Sequence, residues 1–453
     1  MSYSAAIRYL YNLQKEGIKF GLENTIRLMS AFGNPHESFT SIHIAGTNGK
    51  GSTSAIIANL LRTAGFKVGL FTSPHLVSFT ERITVDGEEI KEEDVAGLTD
   101  EIRGKISNFS PTFFEVVTSM AFLYFKKKKI DVGVIEVGMG GRLDATNIIK
   151  PEVSVITSVS HDHREFLGNT LKEIANEKAG IIKEGIPVVT SHQEAEAMEI
   201  IEKRAKGKNA LLFAFGRDFS SILKREDLSG LYFDYYDFSH NSSRNLSRFT
   251  IPELYLPLLG EYQIQNASVG IKAVTVFLNK KSIFPSPNEE KIVKLIGNGL
   301  ATTRWPGRLE FIKKDPPILV DGAHNPAAAS ALSGVLKKIF LNRFKRIIIV
   351  LGILGDKDIE GIMRPLLPLA SEIIFTVPDY ERAASPARLS EVAASLGFLN
   401  VQRASTVREA VKMAMEASVL TPDSLIVITG SFYTIGEAKE ALGQKGVLRR
   451  LRE

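Results

Sequence analysis

Residues 42–54 place a glycine-rich loop between an apolar strand and an amphipathic helix. Ile42 and Ile44 alternate with polar neighbours as in a short strand, and apolar residues recur at helical spacing over 54–61. The loop between them carries Lys50. A strand, a glycine loop with a lysine and a helix together bind phosphate through backbone N–H groups and the helix N-terminus. We therefore expect a phosphate-binding loop whose lysine supplies positive charge to the outer phosphates.

This loop departs from the common phosphate-loop pattern at one position. That pattern has Ser or Thr directly after the lysine, where the hydroxyl binds Mg²⁺, but here Gly51 follows Lys50. The metal-binding hydroxyl must therefore come from Ser52 or from another segment. A simple tight turn is the structural alternative, but the lysine, the strand and the helix all agree with phosphate binding.

Length and composition indicate a two-domain globular enzyme. The chain has 453 residues, with 44% hydrophobic and 24% charged residues. Zero cysteines exclude disulfides, thiolate metal sites and a cysteine nucleophile. No apolar run reaches the ~18 residues of a membrane span, and the N-terminus lacks the pattern of a secretory signal. We expect a cytoplasmic location, no membrane partner and a monomer.

The net charge of +5 suits either a nucleic-acid partner or anionic substrates. The basic residues are dispersed along the chain, and no predicted helix or sheet combines a basic stripe with interleaved aromatic residues. We therefore expect no nucleic-acid partner and interpret the charge as suited to anionic substrates.

Strands and helices alternate through the first part of the chain. Near-continuous apolar strands at 131–137, 153–159 and 186–190 are typical of a parallel sheet covered on both faces. Residues 211–260 are richer in aromatic and β-prone residues, and we expect short antiparallel strands appended to that sheet. The pattern predicts a doubly wound, mostly parallel α/β domain that binds ATP and covers residues 1–298.

The same alternation restarts after a linker predicted at residues 299–306. Alanine-rich helices separate predicted strands at 318–320, 346–351, 372–377 and 425–429. This predicts a smaller, Rossmann-like α/β domain at residues 307–453.

Polar residues follow several predicted strands. Glu136 ends one strand and is followed by three glycines within residues 138–141, and Asp162 and His163 follow the next strand. Asp321 and His324 follow a strand of the second domain. Because ligands bind beyond the carboxyl ends of parallel strands, we expect a metal and phosphate site in a cleft between the domains.

A series of motifs, in order along the chain, resembles the folylpolyglutamate synthase family of the Mur ligase superfamily. Bacterial members often double as dihydrofolate synthases. The motifs are Gly-Thr-Asn-Gly-Lys-Gly-Ser (46–52), Thr-Ser-Pro-His-Leu (72–76), Glu-Val-Gly-Met-Gly-Gly-Arg-Leu-Asp-Ala-Thr-Asn (136–147), Asp-His-x-x-x-Leu-Gly (162–168), Glu-Lys-Ala-Gly-Ile (177–181), Pro-Gly-Arg (306–308) and Asp-Gly-Ala-His-Asn-Pro (321–326).

The resemblance implies an ATP-dependent amide ligase that adds L-glutamate to folates, and also to dihydropteroate. ATP phosphorylates the acceptor carboxylate to an acyl phosphate, and the amine of glutamate then displaces phosphate. Two Mg²⁺ ions and the loop cations would offset the repulsion between anions, and no covalent enzyme intermediate is required.

The resemblance also implies roles for individual residues. It implies catalytic roles for Lys50, His163 and Lys178, and Mg²⁺ ligands at Ser73, Glu136, His163 and a carbamylated Lys178. ATP-binding positions would be Gly46, Thr47, Asn48, Gly49, Lys50, Gly51, Ser52, Asn266, Arg308, Asp321 and His324. Pterin contacts would be Thr112, Phe114, Asp144 and Ala145, and glutamate contacts, more loosely, Arg382 and Ser385. An ordinary helix-surface lysine at Lys178 and a core residue at Phe114 are the alternatives.

Two other functions are alternatives to this interpretation. Another ligase of the same superfamily, acting on a peptidoglycan precursor, is the main alternative. A P-loop GTPase would need a guanine-reading Asn-Lys-x-Asp, and the nearest string, at 355–358, reads Gly-Asp-Lys-Asp.

Overall fold

Three β-sheets and the helices around them make up the structure. The computed structural model describes residues 1–17, 21–238, 249–281, 289–421 and 423–443. We refer to residues 1–301 as the N-terminal half and to residues 310–443 as the C-terminal half.

An eight-stranded sheet forms the centre of the N-terminal half. Its order is β4-β3-β2-β5-β1-β6-β7-β8, and all neighbours pair in parallel except the two pairs that involve β3. The carboxyl ends of β5, β1 and β6 therefore meet at one edge of the sheet. The strands are β1 (Thr40–Ala45), β2 (Val68–Phe71), β3 (Ile83–Val85), β4 (Glu88–Glu89), β5 (Val132–Glu136), β6 (Val153–Ile156), β7 (Val188–Thr190) and β8 (Leu212–Ala214).

Helices cover both faces of this sheet, as the apolar strands predict. Val134 packs into a core on one face, and its neighbour Ile135 packs into a core on the other face. This confirms a doubly wound α/β arrangement. The helices up to this point are α1 (Tyr3–Asn12), α2 (Glu23–Ala31), α3 (Lys50–Thr63), α4 (Glu92–Arg103), α5 (Phe113–Lys128), α6 (Arg164–Leu167), α7 (Leu171–Ala179) and α8 (Ala195–Gly207).

The strands predicted within residues 211–260 do not extend the main sheet as expected. Only β8 joins that sheet, in parallel with β7. The others are β9 (Phe219–Asp227), β10 (Gly230–Asp237) and β11 (Phe249–Leu256), which form a separate antiparallel sheet. Its apolar residues, among them Phe233, share one core with helix α9 (Tyr262–Lys280), so burial against a helix positions this sheet. Residues 239–248 lie outside the described residues.

A six-stranded sheet forms the centre of the C-terminal half, in the order β12-β13-β17-β14-β15-β16. Only β12 pairs antiparallel, which confirms a second, Rossmann-like α/β unit. The strands are β12 (Glu310–Lys314), β13 (Pro317–Val320), β14 (Arg346–Leu351), β15 (Glu372–Phe375), β16 (Val401–Arg403) and β17 (Ser424–Thr429).

Six further helices complete the described fold. They are α10 (Glu289–Ala301), α11 (Pro326–Val335), α12 (Ile359–Leu366), α13 (Pro386–Ser395), α14 (Val407–Leu420) and α15 (Phe432–Ala441). Helix α10 runs into the predicted linker at 299–306, and the domain limits stay a prediction, with 444–453 outside the described residues. Within the described ranges, no helix is both long and apolar enough to cross a membrane.

Candidate active site

The loop between β1 and α3 needs glycine at two positions. Gly46 (φ 151°) and Gly49 (φ 87°) have positive backbone angles that side chains rarely adopt. At Gly49 a Cβ would also lie 2.4 Å from Oδ1 of Asn266. The glycines therefore let the loop turn sharply while helix α9 approaches it closely.

Only part of this loop offers free N–H groups to an anion. The N–H groups of Thr47 and Asn48 donate to the carbonyl of Ser158, at 2.8 and 3.2 Å. By contrast, no side chain caps helix α3 at Gly49. The first-turn N–H groups, at residues 50–52, therefore remain for a phosphate at the positive end of a 14-residue helix.

Packing explains why glycine follows the loop lysine. A Cβ on Gly51 would lie 2.8 Å from Cζ2 of Trp305, in the segment that joins the two halves. The indole ring thus occupies the place of the usual Ser or Thr side chain. Ser52 is 2% exposed, and its hydroxyl accepts a hydrogen bond from Nε2 of Gln263 at 3.3 Å.

Two lysines donate to carbonyls of this loop. Nζ of Lys50 lies 3.2 Å from the carbonyl of Thr47, and Nζ of Lys178 lies 2.8 Å from the carbonyl of Gly46. Lys178 is 4% exposed. Burial and the charge of Lys50 lower the pKa of Lys178 to about 7. Lys178 is therefore a buried group at the loop and not a helix-surface lysine.

A buried carboxylate ends strand β5 beside this loop. Glu136 is 3% exposed and accepts a hydrogen bond from the N–H of Ser73 at 3.3 Å. Burial raises the pKa of Glu136 to about 7, although the charge of Lys50 and the Ser73 N–H oppose this. The structure thus brings Ser73 and Glu136 together, as an oxygen-ligand site requires.

Asp162 and His163 lie in the segment that follows strand β6. His163 precedes α6 with a positive φ of 49°, and its ring is partly exposed but lies among the protein atoms that line the cleft. Burial lowers the pKa of His163, so its ring is neutral near pH 7 and has a free lone pair. Over the described ranges, no group of three or more His, Cys, Asp or Glu side chains is arranged for a metal ion. The predicted magnesium set therefore stays a prediction.

Three predicted ATP-binding residues come from the C-terminal half and the segment before it. Arg308 lies with Cζ 4.7 Å above the ring of Phe432, and Asp321 accepts the N–H groups of Leu309 and Ala323, both at 3.0 Å. His324 bonds through Nδ1 to the carbonyl of Gly322 at 2.8 Å and faces Asp162, at 3.7 Å, across the cleft.

A cavity of about 1400 Å³ opens between the two halves. Its wall includes Ser73, His163 and His324, and aromatic side chains line much of the remainder. The predicted substrate contacts that line it are Thr112, Phe114, Asp144, Ala145 and Arg382. This volume exceeds the ~300–1,000 Å³ of a typical site for one small molecule, so the cavity has room for more than one substrate.

Three of these residues also stabilise the local structure. The hydroxyl of Thr112 caps helix α5, and Asp144 accepts the N–H groups of Met139 and Thr146. The ring of Phe114 lies so close to Gly138 that a Cβ there would be 2.4 Å from its Cζ. Phe114 is thus packed on one side and forms part of the cavity wall on the other.

The two loosely assigned residues differ in position. Arg382 lines the cavity and donates to the hydroxyl of Tyr380 at 2.9 Å. Ser385 is not among the lining residues. Its hydroxyl accepts the N–H of Arg388 at 3.2 Å and caps helix α13. The structure therefore does not bring Ser385 to the predicted site.

Sequence reasoning missed several residues of this region. Arg82 and Tyr433 line the cavity, and Lys357 bonds to Asp162 at 2.7 Å. Asn325 donates to the side chain of Asn48 at 3.0 Å across the cleft. Asn325 stands in a motif and Lys357 follows a strand, but no local signal distinguishes Arg82 or Tyr433.

Comparison with known proteins identifies the family. Residues 44–274 match the Mur ligase middle domain, and residues 307–432 match the Mur ligase glutamate ligase domain. The dihydrofolate synthase/folylpolyglutamate synthase of Bacillus subtilis is 35% identical over 97% of this chain and 99% of its own. The folylpolyglutamate synthase of Lacticaseibacillus casei is 35% identical over 98% and 99%. The chain belongs to the folylpolyglutamate synthase family.

Solved members of the folylpolyglutamate synthase family have the same fold. The Mycobacterium tuberculosis enzyme, in complex with ADP and AMPPCP, superposes with a TM-score of 0.87 at 33% identity over 98% of this chain and 100% of its own. FolC of Escherichia coli, in complex with DHPP and ADP, gives a TM-score of 0.83 at 31% identity over 98% of both chains. Membership makes this protein a Mur-type ligase and confirms the predicted family and enzyme class.

Proposed function

We propose that this protein joins L-glutamate to folates, and also to dihydropteroate, with hydrolysis of ATP to ADP and phosphate. The observation that carries the proposal is the shared cavity. Its lining includes Ser73 and Gly138, which follow β2 and β5, together with several aromatic side chains. The phosphate loop lies near this end of the cavity, because the charge of Lys50 acts on Glu136 and His163. One end of such a cavity suits a nucleotide phosphate and a carboxylate, and the aromatic wall suits a flat heterocycle.

The reaction would proceed through an acyl phosphate. An oxygen of the acceptor carboxylate attacks the γ-phosphorus of ATP, and ADP leaves. The amine nitrogen of glutamate then attacks the acyl carbon, loses a proton and displaces phosphate, which leaves an amide. Lys50 and the N–H groups at residues 50–52 would stabilise the phosphoryl oxygens as the two anions approach.

The residues near the loop fit Mg²⁺, for which we propose two ions. Mg²⁺ prefers oxygen ligands, keeps several waters and often binds through one or two carboxylates plus substrate phosphates. Glu136, which accepts the backbone N–H of Ser73, and the hydroxyl of Ser73 would supply protein oxygens, and the neutral ring of His163 would supply a nitrogen. When bound, the metal would polarise phosphoryl oxygens and reduce their repulsion.

We also propose that Lys178 is carbamylated. Only a neutral amine reacts with CO₂, and a pKa of about 7 leaves much of Lys178 neutral at neutral pH. The product would be an anion that could bind the second metal. Intact mass analysis of the active enzyme should show the added carboxylate, and Lys178→Ala should recover activity with added acetate. Active enzyme with only unmodified lysine would contradict this.

Substrate contacts follow from the cavity wall. DHPP is bound to the related E. coli FolC, and here the ring of Phe114 and the carboxylate of Asp144 would contact a pterin. Arg382, which lines the cavity from the C-terminal half, would contact glutamate. We keep a monomeric, cytoplasmic enzyme as part of the proposal.

The first test is glutamate-dependent release of ADP with two acceptors in parallel, tetrahydrofolate and dihydropteroate. We expect turnover with both. Turnover with tetrahydrofolate alone would remove dihydropteroate from the proposal, and with it the reason to place that substrate at Thr112 and Phe114. No turnover with either, in folded protein that binds Mg·ATP, would favour a ligase for a peptidoglycan precursor.

A further inference from the structure

Arg82 is a buried arginine in the cavity wall. It ends the short 3₁₀ helix Phe79–Arg82, and only 7% of its surface is exposed. Its Nε–H donates to Nδ1 of His75 at 2.7 Å. Among the described residues, no carboxylate lies within salt-bridge distance, and the terminal amino groups make no hydrogen bond. A guanidinium buried without an anion is costly unless a ligand supplies one.

Two contacts hold this guanidinium, the hydrogen bond to His75 and the ring of Phe113, and a third fixes the backbone of Arg82. The carbonyl of Arg82 accepts the N–H of Thr72 at 3.0 Å, and its guanidinium carbon lies 5.4 Å from the centre of the Phe113 ring. Because Nδ1 of His75 accepts from Arg82, Nε2 carries the proton and faces the hydroxyl of Tyr11 at 3.3 Å. The two terminal amino groups are thus held ready for a ligand in the cavity.

The neighbourhood of Arg82 indicates which ligand group it meets. Thr72 precedes Ser73, and His75 follows it by two residues, so Arg82 is tied to the segment beside Glu136. A guanidinium matches a carboxylate through two parallel hydrogen bonds. In a folate, the γ-carboxylate of the terminal glutamate reacts, and the α-carboxylate lies only about 5 Å away and stays free.

We propose that Arg82 binds the non-reacting α-carboxylate of the folate acceptor and thereby selects acceptors that already carry glutamate. Arg82 lies beside the ring of Phe113 in the part of the lining that the N-terminal half contributes, where the acceptor would lie, whereas Arg382 belongs to the part from the C-terminal half. Dihydropteroate has a single carboxylate, which reacts, so it gains nothing from Arg82. This proposal rests on the proposed function.

Equilibrium binding tests the proposal without turnover. The probes are 5-formyltetrahydrofolate and its α-amide, which differ only in the charge and acceptor oxygens of one group. We expect wild-type protein to bind the acid about tenfold or more tightly than the amide, because one charge-assisted hydrogen-bonded pair is lost. In Arg82→Gln the two probes should bind equally, and Arg82→Lys should keep part of the preference.

A matched control is Arg103→Gln, since Arg103 is exposed and also lies over an aromatic ring, that of Tyr9. It should keep the full preference. Equal binding of both probes to wild-type protein, or an undiminished preference in folded Arg82→Gln, would overturn the proposal. Equal binding by the wild-type protein would overturn the proposal even if Arg82→Gln fails to fold, and Arg82→Lys then tests whether the preference comes from Arg82.

Kinetics separates this inference from the proposed function. If wild-type protein turns over folate, Arg82→Gln should raise KM for tetrahydrofolate about tenfold and leave KM for L-glutamate and for dihydropteroate near the wild-type values. A raised KM for L-glutamate instead would assign Arg82 to the incoming amino acid and overturn the proposal. Absence of wild-type turnover would count against the proposed function, whereas the binding comparison would still decide on Arg82.

Discussion

Single residues around the phosphate loop carry the electrostatics of the site. Lys50 and Lys178 both donate to loop carbonyls, and their mutual repulsion contributes to the lowered pKa of Lys178. Glu136 lies close enough for the charge of Lys50 to act on its pKa. A phosphate placed at the start of α3 would relieve the repulsion between the two lysines.

Removal of Lys50 should therefore affect chemistry more than folding. In Lys50→Ala we expect kcat to fall about 100-fold or more, because the transferred phosphoryl group loses its main protein cation. Release of ADP at saturating substrates measures this, and thermal denaturation checks folding. Lys67→Ala, at an exposed lysine, is the control. A near-normal kcat in Lys50→Ala would refute the site assignment.

His43 is a buried titratable residue beneath the site. Its Nε2 lies 2.8 Å from the hydroxyl of Thr146, which donates to Asp144 at 2.5 Å. Since that hydroxyl donates its proton to Asp144, it accepts from Nε2–H of His43. Burial, with a smaller effect of the charge of Lys183, lowers the pKa of His43 to about 3. The ring is therefore neutral in the folded protein across the physiological range.

This shift predicts a loss of stability in acid. Below pH 6.5 the unfolded chain protonates His43 and the folded chain does not, so the free energy of unfolding falls from pH 6.5 toward pH 3. The slope from this one residue is up to about 1.4 kcal/mol per pH unit. His43→Gln, which keeps a donor near Thr146 without titrating, should flatten the slope. Urea unfolding at several pH values measures it.

The control for this prediction is His192→Gln, at an exposed histidine. It should leave the slope of unfolding free energy against pH as in the wild-type protein. Parallel slopes for wild-type protein and His43→Gln would mean that His43 does not contribute, and the pKa shift would then be wrong.

At the scale of elements, the segment 302–309 packs against the start of α3, and this contact can be measured through Trp305. Trp305 is the only tryptophan of the chain, and its ring lies where a side chain at Gly51 would stand. Gly51→Ala should displace the indole toward solvent and shift its fluorescence emission to longer wavelength. Nucleotide affinity should fall in parallel, because the loop must move to accommodate the new methyl group.

A glycine that meets no neighbour supplies the control. Gly297 in α10 has open space where a Cβ would lie, so Gly297→Ala should leave the emission maximum unchanged. If Gly51→Ala also leaves the emission unchanged, the indole does not pack on the loop in solution.

Local sequence patterns predict secondary-structure elements better than they predict which elements pair with each other. The strands around β1, β5 and β6, and the alternation of the C-terminal half, follow from apolar runs and glycine loops that act over a few residues. The aromatic stretch 211–260 predicts strands equally well, but it does not predict how those strands pair. Burial of Phe233 against the core shared with α9 decides that pairing, and no local pattern contains this information.

The same limit applies to the site. The motifs predicted Lys50, Ser73 and Glu136, which the fold brings to one edge of the sheet. Arg82 stands outside these motifs, and Trp305 directly precedes the Pro-Gly-Arg motif without being part of it. Their importance comes from what the tertiary structure places beside them, a cavity and a glycine.

At the scale of the molecule, the side chain of Asp162 joins the two halves across the cleft. Asp162 of the N-terminal half bonds to Lys357 at 2.7 Å and lies 3.7 Å from His324. Burial alone would raise the pKa of Asp162, but the positively charged side chain of Lys357 and the nearby ring of His324 contribute to holding this pKa well below its usual range. Asp162 is therefore an anion that holds two groups of the C-terminal half.

Loss of this contact should loosen the two halves. In Lys357→Ala we expect a larger radius of gyration by small-angle X-ray scattering and a raised KM for ATP. Asp162 and Lys357 are 8% and 11% exposed, so breaking the pair costs up to about 3 kcal/mol.

Asp162→Asn should act in the same direction, and because the two side chains share one contact, the double variant should add little to either single change. Lys337→Ala, at an exposed lysine of the same half, should alter neither quantity. Additive effects of the two single changes would show that Asp162 and Lys357 act separately, and the halves would then be held together by other contacts.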